Sequence, residues 1–344
     1  MIISRTPLRV SLFGGGTDYP DWYRRHGGAT LVTTIDKYCY ISCRKLPPFF
    51  DYKHRIVYSR METVRDVSEI CHPVVRAVLT ESGVEEGLEI HHAADLPART
   101  GLGSSSAFTV GLLHALHAFQ GALLFKEELA REALRIEQEV LKEPVGSQDQ
   151  VSTAYGGFNR LEFLPDGSFR VSPLVCDAER RNEFNRRLML FFTGVWRGPS
   201  SVAQKKIENL HSCSHELHAL RELVDDATGI LASRAASLDD IGRLLGEGWH
   251  LKRSLAPGVT RPEIDEIYRE GISAGALGGK VLGAGGGGFI LFYVRPEDQW
   301  RVSERLRRLI RVRFKFDDTG SQILAHDQEA SVRASERDLP VFMT

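Results

Sequence analysis

An α+β fold is what this 344-residue sequence predicts. Runs rich in β-branched and aromatic residues crowd the first half and return at 188–192, 289–294 and 322–325. Stretches with helical apolar spacing lie between them, the longest over 204–234. The two kinds of segment follow neither the regular alternation of a parallel βαβ sheet nor the even strand spacing of an all-β domain.

Taken in order, Arg5 to Phe13 reads as a strand entering Gly14-Gly15-Gly16-Thr17-Asp18. Residues 29–46 supply one or two further strands. A short helix is expected over 73–81, and a strand over 88–92 leads into a serine-rich turn. Helices follow over 108–119 and, strongly charged, over 126–141. Pro165-Asp166-Gly167 joins 157–163 to 169–175 as a hairpin. A second unit begins near Leu188, dividing the chain into 1–185 and 186–344. In it, apolar residues at 207, 210, 217, 220, 224, 227, 230 and 231 predict a long helix, 204–234, suited to packing on a second copy of the chain. A helix over 261–274, a strand over 289–294, a basic helix over 297–311 and a last strand near 322–325 complete the reading.

Bulk properties narrow the function. The chain is 42% hydrophobic and 26% charged, with a net charge of −1, so neither nucleic acid nor an anionic membrane is expected as its partner. The apolar run 289–294 is far too short to span a bilayer. The N-terminus enters a strand with no signal-peptide pattern. Five cysteines, odd in number and without a CxxC pair, point to reduced thiols and a cytoplasmic location.

Three segments carry chemistry. The first is Leu96-Pro97-Ala98-Arg99-Thr100-Gly101-Leu102-Gly103-Ser104-Ser105-Ser106-Ala107. Glycines permit a tight turn and close approach to a ligand. The helix start that follows presents free N–H groups and a positive dipole end. The three serines there either cap the helix or hydrogen-bond phosphate and ligate Mg²⁺. The second segment, Gly283-Ala284-Gly285-Gly286-Gly287-Gly288, matches GxGxxG, but a strand follows it where a dinucleotide fold requires a helix. It reads as a hairpin or as a backbone cradle for phosphate. No Walker lysine closes either run. The third holds Glu137 and Asp149, a metal ligand and a base for phosphoryl transfer or, on spacing alone, two surface acids.

Together, Pro7-Leu8-Arg9-Val10, the Pro-x-x-x-Gly-Leu-Gly-Ser-Ser-Ser-Ala block and Lys280-x-x-Gly-Ala-Gly-Gly-Gly-Gly resemble the three motifs of the GHMP kinases, in the family's order. The resemblance implies an N-terminal domain like ribosomal protein S5 domain 2, a ferredoxin-like C-terminal domain, and ATP held between them with Mg²⁺. It implies phosphate contacts from Gly101, Leu102, Gly103, Ser104, Ser105, Ser106, Ala107, Gly285 and Gly286. It makes Asp149 the base, Glu137 and Ser105 the Mg²⁺ ligands, and Arg9 a neighbour that balances the charge of Asp149 and stabilises the transferring phosphoryl group. Thr17 and Asp18, with Gly15 and Gly16, would hold the sugar. Where galactokinases carry Gly-Glu-His this chain has Gly14-Gly15-Gly16, so that face of the sugar site differs.

Phe13-Gly14-Gly15-Gly16-Thr17-Asp18, residues 275–285, Phe314-Lys315-Phe316 and Gly320-Ser321-Gln322-Ile323 are similar to the D-glycero-D-manno-heptose 7-phosphate kinases of that family. This implies phosphorylation of the anomeric hydroxyl of a sugar phosphate, on the α-anomer and GDP-heptose route to capsule, S-layer or lipopolysaccharide. A cationic pocket for the 7-phosphate would draw on Arg44, Lys45, Arg197, Lys205, Lys252 or Arg253, with Arg197 favoured by its turn-like setting. Other anomeric kinases of the family (galactose, fucose or N-acetylhexosamine), a nucleotide-binding protein without turnover and an NAD-dependent oxidoreductase are the competing classes. His211, His215 and His218 share a helix face and read as polar surface rather than metal ligands; the arginines at 301–313 read as a solvated face.

Overall fold

The computed structural model describes residues 1–195, 207–210 and 212–327. Arg197, Lys205 and His211 lie outside the described residues. In the first half β1 (Ile2–Phe13), α1 (Pro20–His26), β2 (Gly28–Lys45), β3 (His54–Val57), β4 (Met61–Val64), α2 (Pro73–Ser82), β5 (Leu88–Ala94), α3 (Ser104–Phe119), α4 (Lys126–Leu134), α5 (Gln148–Tyr155), β6 (Phe158–Phe163) and β7 (Phe169–Pro173) follow in order. The second half adds α6 (Ala178–Arg186), β8 (Leu188–Phe192), α7 (Ser214–Ala232), α8 (Asp239–Ser254), α9 (Pro262–Ser273), β9 (Ala276–Val281), β10 (Phe289–Val294), α10 (Gln299–Arg305), β11 (Ile310–Val312), β12 (Phe316–Asp317) and β13 (Gln322–His326). The α+β expectation holds.

Residues 28–45 form one strand of 18 residues, because their β-branched and aromatic side chains run on without a turn signal. β2 is the spine of a nine-stranded sheet. β1 pairs along one side of it, and β6, β12 and β5 occupy successive stretches of the other. α3 lies across β1 and β2, where its largely apolar sequence is buried on nearly every face. A second, four-stranded antiparallel sheet has the order β11-β8-β10-β9.

Three expectations change. The division at residue 185 assigned 316–326 to the second unit, yet β12 pairs with β2 and β13 with β1, so both join the first sheet. The second sheet is therefore an insertion between β7 and β12. The long helix is shorter: α7 begins at Ser214, after turns at 210 and 212–213. Its apolar face, Leu217, Leu220, Leu223, Val224, Ala227 and Leu231, is buried against β1, β2 and α8 and is not available to a second copy. The basic helix stops at Arg305, because Ile310-Arg311-Val312 completes the edge of the second sheet beside β8.

Candidate active site

Arg9, buried, and Asp149, partly exposed, meet side chain to side chain. Arg9 lies on β1 and Asp149 in the first turn of α5. The Arg9 fork donates Nε to Oδ1 at 2.7 Å and Nη2 to Oδ2 at 2.6 Å, a bidentate pair that fixes the carboxylate in two directions. The third arm, Nη1, donates to the Gly101 carbonyl at 2.6 Å, and the Arg9 amide donates to the Leu102 carbonyl. The serine-rich turn is thereby tied to the acid. Gly103 stands next to both: its φ of +72° is left-handed, and a Cβ there would lie 2.9 Å from Arg9 Cγ and 3.5 Å from Asp149 Oδ2.

Gly103 is also the residue from which α3 starts. No side chain caps this helix. Ser104 Oγ accepts from the Arg99 amide, Ser105 is exposed, and Leu102, Ser106 and Ala107 are buried. Uncapped amides at the start of a 16-residue helix suit an anion beside Asp149.

Asp18 lies on the other flank and is 1% exposed. Its Oδ1 accepts the Gly16 amide and its Oδ2 accepts Gln148 Nε2, both at 2.9 Å. Burial pushes its carboxyl above the ordinary range, against the Gly16 hydrogen bond, and the charge of Asp149 adds to the rise. The Ser147 amide donates to the Asp18 carbonyl, and a side chain on Gly146 would collide with the carboxylate. Gly15 faces Ser11 Oγ and Gln148 Nε2. The Thr17 hydroxyl donates to the Gly14 and Ala29 carbonyls and accepts the Ala29 amide, so it locks the loop onto β2.

Glu137 occupies a π-helical stretch, Arg135–Val140, that continues α4. The widened turn, with the Leu141 amide bonded to the Ile136 carbonyl, sets Glu137 fully inside. Ser106 Oγ and Gln150 Nε2 both donate to its Oε2. Oε1 has no partner among the described residues. Burial pushes this carboxyl up to about 7, although the hydrogen bonds pull the other way. A buried carboxylate oxygen without a hydrogen-bond partner, on an acid flanked by the Ser106 and Thr109 hydroxyls, fits a hard divalent cation. The serine that touches Glu137 here is Ser106, one residue beyond the Ser105 singled out by sequence.

The glycine run is the hairpin loop between β9 and β10, and it docks on the serine-rich turn. The Phe289 amide donates to the Thr100 carbonyl, Gly288 to Val195, and Gly286 to Val259. Gly288 has φ +86°, and a Cβ there would stand 2.2 Å from the Thr100 oxygen. Gly288→Ala is expected to lose at least about 2 kcal/mol of stability, from the left-handed backbone and the clash together, measured by urea denaturation. Lys280 Nζ donates to the Leu12 carbonyl, and Lys252 Nζ to the Val281 and Gly283 carbonyls, bracing the hairpin against β1 and α8.

The phosphate-pocket candidates scatter. Arg44 pairs with buried Glu89 ten positions along β2 from Thr34, the residue opposite Arg9, which is roughly 30 Å away. Lys45 is its exposed neighbour, and Arg253 pairs with Asp265. Of the described candidates Lys252 borders the glycine loop. Trp249 is fully buried in the core of the second sheet, against Tyr268. His218 packs edge-on against Trp22 and His26, and no metal-binding cluster of three His, Cys, Asp or Glu occurs among the described residues. Sequence reasoning assigned no role to Gln148, Gln150 or Lys280. Two glutamines alternating around Asp149 were the available signal.

The chain matches the GHMP kinases N terminal domain over 69–157 and the GHMP kinases C terminal domain over 228–311. It is 29% identical over 317 residues to a D-glycero-alpha-D-manno-heptose 7-phosphate kinase of Campylobacter jejuni, covering 89% of this chain and 93% of the relative. An L-fucokinase/L-fucose-1-P guanylyltransferase of Bacteroides fragilis is 26% identical over 90% of this chain and 36% of its own length. The crystal structure of a D-glycero-D-manno-heptose 1-phosphate kinase from Bacteroides thetaiotaomicron superposes with a TM-score of 0.76 at 26% identity, covering 94% of this chain and 99% of that one. No helix among the described residues is long and apolar enough to cross a membrane.

Proposed function

The chain belongs to the GHMP kinases, ATP-dependent phosphotransferases with an alcohol acceptor, and on that premise we propose that it phosphorylates the anomeric C1 hydroxyl of D-glycero-D-manno-heptose 7-phosphate. The products would be the 1,7-bisphosphate and ADP, on a route to nucleotide-activated heptose for surface polysaccharide. The observation that carries the reading is the Arg9–Asp149 pair, held by Gly101 and Leu102 at the mouth of the anion site with Asp18 alongside.

In this reading Asp149 accepts the C1 hydroxyl proton as the C1 oxygen attacks the γ-phosphorus and the bond to the β–γ bridging oxygen breaks. An anomeric hydroxyl is more acidic than an ordinary alcohol, so a carboxylate suffices as base. Arg9 holds that carboxylate in register and offers positive charge to the phosphoryl group in transit. The amides of 103–106 and of Gly285 receive the phosphates; those of Ala107 and Gly286 already donate to the Gly103 and Val259 carbonyls, so these two residues only border the phosphates. Glu137 through Oε1, with the Ser105 hydroxyl, would hold Mg²⁺, while Ser106 and Gln150 keep Oε2 fixed; Mg²⁺ there would neutralise β- and γ-phosphate oxygens. Asp18, fixed by the Gly16 amide and Gln148, receives sugar hydroxyls beside Thr17, Gly15 and Gly16. Arg197 is our candidate for the 7-phosphate.

The test is phosphorus NMR of the product after incubation with ATP, Mg²⁺ and a panel of sugars. A new anomeric phosphate on the heptose 7-phosphate is expected; turnover of galactose or fucose without it would move the acceptor within the family. Asp18→Asn is expected to act through the sugar, raising its KM by about tenfold or more while the KM for ATP stays put. An unchanged sugar KM and kcat would remove Asp18 from the acceptor site.

A further inference from the structure

Buried oxygens without a hydrogen-bond partner are rare in folded proteins. Among the described residues, every such carboxylate or amide oxygen belongs to Glu137, Gln148 or Gln150. All three gather around Asp149. The two glutamines leave α5 on either side of the acid: the Gln150 amide holds Glu137, and the Gln148 amide holds Asp18. Gln150 is fully enclosed, whereas Gln148 is 8% exposed and reaches past Gly15, its Nε2 standing 3.7 Å from where a Cβ on that glycine would lie. With Nε2 on a carboxylate the Gln148 amide cannot usefully be turned round, so its Oε1 waits for a donor that the chain does not supply.

Resting on the kinase reading above, we propose that Gln148 Oε1 accepts a hydrogen bond from the C2 hydroxyl of the acceptor sugar and determines which sugars are phosphorylated. The chemistry of the acceptor selects that hydroxyl. Beside the C1 hydroxyl a pyranose carries the ring oxygen, which has no proton, and the C2 hydroxyl, which has one. Gln148 adjoins Asp149 in the chain and spans from it to Asp18, so the donor nearest the reacting oxygen is the one it can meet. Removing that donor would leave Oε1 desolvated and unpaired, the situation in which a site discriminates most strongly.

The experiment measures kcat/KM for the heptose 7-phosphate and its 2-, 3-, 4- and 6-deoxy forms with wild-type enzyme, Gln148→Met and Gln148→Glu. Wild type is expected to reject the 2-deoxy sugar by about a hundredfold or more. Gln148→Met, an apolar side chain of similar length, should narrow that ratio to about fivefold or less. Gln148→Glu keeps an oxygen in place of Oε1 and should retain the rejection while losing kcat through the disturbed Asp18. If Gln148→Met lowers activity equally on both sugars, or relaxes the ratio at another carbon and not at C2, Gln148 acts only by positioning Asp18 and the proposal is overturned. Should circular dichroism find Gln148→Met unfolded, Gln148→Glu decides, and loss of the 2-deoxy rejection there overturns it equally. Wild type that turns over no heptose phosphate defeats the kinase reading itself, a result visible before any variant is compared.

Discussion

Asp149→Asn is expected to lower kcat by roughly a thousandfold while the affinity for ATP changes little. Asn matches Asp in size but accepts no proton, and its amide cannot receive both arms of the Arg9 fork, which needs two oxygens. The loss falls on the chemical step because Asp149 stands at the rim of the anion site rather than among its amides. Nucleotide binding by fluorescence titration and kcat from coupled ADP release separate the two effects. Weakened ATP binding with kcat preserved would remove Asp149 from the role of base.

Glu137→Gln is the second large effect, and it has two parts. As a lost metal ligand, it should raise the Mg²⁺ concentration needed for half-maximal activity and lower kcat about a hundredfold or more. As a lost buried acid, it should change stability in the opposite direction. The Glu137 carboxyl titrates at about 7 in the fold, above its ordinary 4.5. Below pH 4.5 it is neutral folded and unfolded alike, and its contribution is fully present. As pH rises through 7 the unfolded chain ionises first, and about 3 kcal/mol is lost by linkage. Without added metal, the difference in stability between Glu137→Gln and wild type should therefore grow in favour of the variant from pH 5 to pH 8. Added Mg²⁺ should shrink it by binding wild type. Denaturation across pH, with and without Mg²⁺, checks this; a difference that stays flat with pH would mean that Glu137 is not held against its charge.

Much of this was legible in the chain because it is local. The turn before α3 is written in its glycines, although the helix expected over 108–119 begins four residues earlier at Ser104, and the β6–β7 hairpin is written in Pro165-Asp166-Gly167. The glycine run could be separated from a dinucleotide loop because Phe289 to Val294 is plainly a strand. The meeting of Arg9 with Asp149 was legible only through resemblance, since 140 positions separate them. What escaped is long-range or against propensity. β13 pairs with β1 across the whole chain, and five residues carry no mark of a partner so distant. α8 contains Gly242, Gly246 and Gly248, poor helix formers that look like loop. Gly242 and Gly246 are there because β9 lies directly on that helix, where a Cβ on Gly278 would stand 1.9 Å from the Gly242 carbonyl oxygen, while Gly248 faces Leu220 and Leu223 of α7. The Ser106–Glu137 hydrogen bond also escaped, because it forms across a π turn that helical spacing does not anticipate.

The return of β12 and β13 to the first sheet has a mechanical consequence. The second sheet is tethered twice, by the chain leaving β7 and by the chain arriving at β12, so it cannot swivel freely as a body on a single linker would. Between the two tethers, α7 packs on β1 and β2 and Lys280 Nζ grips the Leu12 carbonyl, so the glycine hairpin is seated on Thr100 from both sides and shares one frame with the Arg9–Asp149 pair.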